Sequence, residues 1–211
     1  MDTHDADALK AKAINSKGQD DRPPPFSPFS PAWERDGRSL KIFVITIYQV
    51  LRHPVRTFAA PGSTSRKAAT SFGIVLGTFG LILDLMNVAP FHDEIAINYL
   101  IVALCLAASP FVAWGLIYVN AGIIQFFLDL TKSGARGFDK TYRVAAYVGG
   151  AAVVFTTIPL LGDLIGFLLW LVVMIYALAA THRVPKRKVL LAVAAMYIAL
   201  ALSAFVLAGS C

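Results

Sequence analysis

The 19 Lys and Arg residues of this 211-residue chain fall in three places, residues 10–67, 132–143 and 183–188, and the three long stretches between and after them hold none. A separation this complete marks a multi-pass membrane protein, because cations are costly in the bilayer interior and their clusters set which loops stay in the cytoplasm. Composition agrees. The chain is 57% hydrophobic and 15% charged, with a mean hydropathy of +0.64, where a soluble domain of this size needs far more surface charge. Seven of the 13 acids lie in the first 38 residues, so the remainder is more apolar than the average. The net charge of +6 then belongs to basic loops attracted by anionic headgroups. Nucleic acid is excluded as a partner, since no basic, aromatic-interleaved soluble domain is present to bind it.

Residues 1–38 contain no apolar run that could serve as a signal-peptide core, which keeps the N-terminus in the cytoplasm. They read as a disordered cytoplasmic tail. The Lys/Asp-rich start and the run Pro23-Pro24-Pro25-Phe26-Ser27-Pro28-Phe29-Ser30-Pro31 cannot bury enough apolar surface to fold, and the prolines favour extended backbone. Residues 39–60 read as an interfacial amphipathic helix. Leu40, Phe43, Val44, Ile47, Val50 and Leu51 recur at spacings of three and four, the run is too short to span, and it meets His53-Pro54. Lys41, Arg52 and Arg56 would turn to anionic headgroups while the apolar face lies in the membrane. The competing reading packs this helix on the cytoplasmic end of the bundle.

Residues 69–208 hold the transmembrane domain. Apolar stretches cover residues 69–89, 95–130, 144–180 and 189–208. A span takes about 20 residues, so the first and last are single helices and the third is a pair broken near Pro159, Gly162 and Asp163. The second could be one long helix or a hairpin turning at Ser109-Pro110. A hairpin would place Lys132, Arg136, Lys140 and Arg143 outside, against the positive-inside rule, and a single crossing places every basic cluster in the cytoplasm. The expected fold is therefore all-α, a polytopic bundle of five transmembrane helices. Gly73 and Gly77, and Gly162 and Gly166, stand at helix-packing spacing, as the contacts of a compact bundle or of a homo-oligomer. Cys105, inside an apolar run, reads as a small core residue.

The segment His53-Pro54-Val55-Arg56-Thr57-Phe58, just ahead of the first span, resembles the Pro-Arg-Thr-Phe segment of Yip-domain membrane proteins, the Ypt-interacting protein family and its bacterial relatives. Gly137-Phe138-Asp139-Lys140-Thr141-Tyr142-Arg143-Val144-Ala145-Ala146-Tyr147 is similar to that family's short loop and helix start, with Thr141, Arg143 and Tyr147 in place. The Ile158-Pro159-Leu160-Leu161-Gly162 turn and a basic re-entry into the last span complete the order over residues 40–208. The resemblance implies a cytoplasmic N-terminal region and five membrane helices. Eukaryotic members look like organisers of vesicle traffic that bind small GTPases, but no acidic Tyr-Gly-Pro motif precedes the first span here. The resemblance thus points to a bacterial-type member in the inner (cytoplasmic) membrane.

Polar residues inside spans are the candidate functional groups. Asp84, with Asn87 one turn later, reads either as an ion- or proton-sensing carboxylate or as an acid hydrated near the interface. Gln125 and Asp129, four apart, read either as the lining of a polar groove or as the end of a helix, with Asp129 paired to Lys132. There is no Ser/His/Asp set, glycine-rich phosphate loop or His/Cys cluster, so no catalytic, cofactor or metal site is expected and an enzyme is not. His4, His53, His92 and His182 are scattered among tail and loops. Two functions compete: a membrane-organising or partner-binding scaffold, which binds anionic lipid headgroups and a protein partner, and a small-solute or ion transporter using Asp84, Asn87, Gln125 and Asp129. Five spans form no even inverted repeat, which favours the scaffold. A polar cavity joining Asp84 to Gln125 would favour the transporter.

Overall fold

The computed structural model describes residues 29–59, 65–88, 99–134, 136–156, 158 and 161–209. Residues 1–28 of the expected tail, the Asp93-Glu94 loop and Pro159 lie outside them. Among the described residues there are eight helices and no strand: α1 (Ala32–Arg35), α2 (Leu40–Arg52), α3 (Pro54–Ala59), α4 (Arg66–Val88), α5 (Tyr99–Leu130), α6 (Phe138–Thr156), α7 (Gly162–His182) and α8 (Lys186–Gly209). The fold is all-α. The five long helices α4–α8 occupy the five apolar segments read from the sequence. Three of them are long and apolar enough to cross a membrane, over Arg66–Asp84, Val102–Leu130 and Gly162–His182.

Local chemistry sets the boundaries. Ser39 caps α2, its Oγ accepting from the Ile42 N–H at 3.3 Å, and Ser65 accepts from the Ala68 N–H at 3.2 Å ahead of α4. The hairpin alternative for residues 95–130 fails, because α5 runs unbroken for 32 residues, about 48 Å, with Pro110 inside it. Pro110 has no N–H for the Leu106 carbonyl one turn back, and the Ser109 hydroxyl donates to that carbonyl at 2.8 Å instead. Little of α5 is buried, and Cys105 is exposed on it, not in the core as expected.

The central element is α6. Every residue from Thr141 to Val148 is buried, and α2, α4, α5 and α7 pack around it. Small residues permit this closeness. A Cβ on Gly73 would meet Ile117 Cδ1 at 2.7 Å and the Ala146 backbone oxygen at 3.2 Å, so glycine there lets α4 approach α6 closely. Phe72, Tyr142, Tyr147, Ile124, Leu128, Met174 and Leu178 fill the core between these helices.

The N-terminal reading requires two corrections. Residues 29–38 are not a tail: α1 lies within them, and Ser30 and Ala32 are buried. The order comes from docking. Ala32 N–H donates to Gln49 Oε1 and Trp33 N–H to Thr46 Oγ1, both at 2.9 Å, so α1 is pinned to α2. The apolar stripe of α2 also divides. Val50 is fully buried, and Phe43, Ile47 and Leu51 pack against the bundle core. Leu40, Val44 and Tyr48 remain exposed.

Candidate functional site at the basic end

The first two turns of α6 carry Thr141 and Arg143, on which two polar clusters are built. Arg143 is 4% exposed. Its Nε donates to Glu34 Oε1 at 2.7 Å and its Nη2 to Glu34 Oε2 at 2.8 Å, a bidentate pair that closes a separation of 109 residues. Phe58 of α3 lies under the guanidinium at 5.6 Å, and the Phe58 and Tyr147 rings are 6.3 Å apart. Trp33, beside Glu34, packs its ring edge-on to Phe43 and Phe72 and donates its indole N–H to Ser71 Oγ at 3.1 Å. Thr57 turns its hydroxyl back to the His53 carbonyl at 2.9 Å, which seats Phe58 inward.

The second cluster gathers Thr141, Gln125, Asp129 and His182. Thr141 Oγ1 donates to Gln125 Oε1 at 2.5 Å and stands 2.9 Å from His182 Nε2. The hydroxyl's one proton is thereby committed, so it accepts from His182 Nε2–H. The other ring nitrogen, Nδ1, accepts from the Arg136 N–H at 3.3 Å. These contacts select the neutral imidazole protonated on Nε2. Gln125 Nε2 donates to Asp129 Oδ1 at 2.7 Å and to the Gly134 carbonyl at 3.4 Å. A side chain on Gly134 would collide with both Asp129 Oδ1 and Gln125 Nε2. The network ties α5, the loop after it, α6 and the end of α7 together.

The expected site residues thus separate. Phe58, Arg143 and Tyr147 converge on Glu34. Thr141 joins Gln125 and Asp129. Gly162 is buried at the opposite end of the bundle, His53 and Arg56 are exposed, and Pro54 begins α3. Gln125 is buried rather than lining an open groove. Asp129 accepts from Gln125 and not from Lys132, because Lys132 turns into the left-handed region with φ 54° as the helix ends. Asp84 is exposed at the edge of a crevice of about 380 Å³ between α4, α5 and α6. Gly73, Gly77, Gly80 and Asn120 share its lining, but Gln125 and Asp129 do not. The side chain of Asn87 lies outside the described residues. Among the described residues, no three His, Cys, Asp or Glu side chains stand close enough to share a metal ion.

Sequence reasoning missed Glu34, Trp33, Gln49 and His182. Only Glu34 had a signal, and a generic one: Arg143 lies near the start of an apolar helix, and an arginine buried there requires an acid from elsewhere in the chain, without marking which.

Residues 48–208, about three quarters of the chain, match the family model of the Yip1 domain. The chain belongs to the Yip1 domain family. No curated protein and no solved structure matches it. The Yip1 domain therefore opens inside α2, at Tyr48, and contains the whole Thr141–His182 cluster. Glu34 and Trp33 stand upstream of it, so the buried ion pair fastens the Yip1 domain to a flanking segment. With its apolar helices, this Yip1 domain protein is an integral membrane protein.

Proposed function

We propose that this chain is a non-catalytic membrane scaffold of five spans. In this reading the N-terminus and all basic clusters lie in the cytoplasm, as in a bacterial inner-membrane protein, and the basic end is the surface offered to anionic lipids and to a protein partner. One observation carries the reading: Gln125, Asp129, Thr141 and His182 are bonded to one another at one end of the bundle, and the Asp84 crevice does not reach them. Buried Ile124 and Leu128 flank Gln125 along α5, where a solute path through the bundle would need polar groups. The exposed apolar residues Leu40, Val44 and Tyr48 of α2, adjoining Lys41 and Arg52, support a membrane-surface role.

The test is reconstitution of the full chain into liposomes of mixed anionic and zwitterionic lipid. Proton and alkali-cation leak should equal that of protein-free liposomes, for the natural chain and for Asp84→Asn alike. A protein-dependent flux that Asp84→Asn abolishes while the bundle stays folded would move this chain into the transporter class.

A further inference from the structure

A groove of about 480 Å³ lies where α2 and α3 meet the side of α7, within the size range of small-molecule sites. Its floor is Leu169, Val172, Val173 and Tyr176. These positions form one face of α7 at spacings of three and four, running about 10 Å along the helix. This helix is apolar enough to cross a membrane, and residues 169–176 lie in the middle of its length. The groove's rim is cationic. Arg52 closes α2 and Arg56 sits in α3, both exposed, both lining the groove, with His53 between them and no acid in the lining. Lys186 adds a third cation, its Nζ 3.9 Å from the centre of the Tyr176 ring. Arg143, by contrast, is bound to Glu34 and unavailable to a ligand.

An apolar groove lined by two arginines, with a third cation over the ring of Tyr176 in its wall, is complementary to a molecule with an alkyl chain and an anionic head. The geometry points to a binding site for one anionic phospholipid, its phosphate between Arg52, Arg56 and Lys186 and an acyl chain along Leu169, Val172 and Tyr176. The two arginines present planar, always-charged donor forks suited to phosphate oxygens. This site goes beyond the scaffold reading and does not depend on it, since a transporter could hold the same lipid.

The test uses the full chain purified in detergent and titrated with phosphatidylglycerol, with phosphatidylcholine of the same acyl chains, and with inorganic phosphate, counting bound adducts by native mass spectrometry. One phosphatidylglycerol should be retained in preference to phosphatidylcholine. Each interfacial cation strengthens anionic-lipid binding about fivefold, so Arg52→Gln with Arg56→Gln should weaken phosphatidylglycerol about 25-fold and leave phosphatidylcholine unchanged. Arg187→Gln with Lys188→Gln removes the same charge from the exposed start of α8 and should change neither. Val172→Trp fills the channel and should weaken both lipids, with the thermal midpoint in detergent showing that the bundle remains folded. Equal affinity for the two lipids, or a phosphatidylglycerol preference that survives the Arg52/Arg56 change, overturns the proposal. Displacement of the lipid by inorganic phosphate, with Val172→Trp silent, overturns the acyl-chain half and leaves a phosphate site.

Discussion

Arg143 and Glu34 hold opposite full charges with side chains 5% and 0% exposed, so each is the other's principal solvent. Removing one partner leaves a buried charge without compensation, at a cost of about 3–5 kcal/mol, whereas replacing both by apolar residues of similar volume is often nearly neutral. Glu34→Gln and Arg143→Met are therefore each expected to lower the thermal midpoint in detergent steeply, and Glu34→Leu with Arg143→Met to restore most of it. Single substitutions that cost less than about 1 kcal/mol, the range of exposed pairs, would mean that α1 is not docked in solution. Arg143 was legible in the sequence as part of a family motif, and its partner was not. Glu34 lies 109 residues away in a segment whose proline and acid content reads as tail, and no periodicity connects the two positions. His182 was hidden differently: it reads as a loop histidine, and only the return of α7 beside α6 brings it to Thr141.

At the scale of elements, α5 and α7 finish at the same end of the bundle, each on a cation in the left-handed region: Lys132 at φ 54° and Arg183 at φ 56°. The Ser133 N–H reaches back to the Leu128 carbonyl at 2.6 Å and the Val184 N–H to the Ala179 carbonyl at 3.1 Å, the reverse-turn closure in which glycine is usual. A side chain in that conformation costs about 1–2 kcal/mol, and a cation at a helix C-terminus returns about 0.3–1 kcal/mol through the macrodipole. The strain is the larger effect. Lys132→Gly and Arg183→Gly should each stabilise the folded chain by up to about 1 kcal/mol, measured by circular dichroism in detergent, whereas Lys132→Ala should give no gain. A loss of stability in the glycine variants would show that charge at these ends outweighs backbone strain. Helix positions were readable from hydropathy because each long helix contains an apolar run, and Pro159 with Gly162 marked the break between α6 and α7. The fate of α2 was not readable. Its stripe could face lipid or bundle, and the structure divides it, with Phe43, Ile47 and Val50 inward and Leu40, Val44 and Tyr48 outward.

For the molecule as a whole, the proposed five crossings must be reconciled with three helices that qualify by length and apolarity. The place of α6 accounts for its part of the difference. It carries Asp139, Lys140 and Arg143 in its first turns, which leaves residues 144–156, about 20 Å of uncharged helix, against a hydrocarbon layer of about 30 Å. A lipid-facing helix could not accept that shortfall, but α6 is wrapped by protein: residues 141–148 are buried, and Arg143 is neutralised by Glu34. A central helix meets its neighbours rather than lipid, so its charges need partners and not distance from the membrane. If α6 crosses, the loop after α5 and the start of α8 share one compartment, and the turn before α7 lies in the other. Reporter fusions after Lys132 and after Lys186 should therefore report the cytoplasm, and a fusion after Asp163 the opposite side. An Asp163 fusion that reports the cytoplasm would place α6 and α7 on the basic side of the membrane together. A Lys132 fusion that reports the far side would reverse α5 and with it the orientation assigned to every basic cluster.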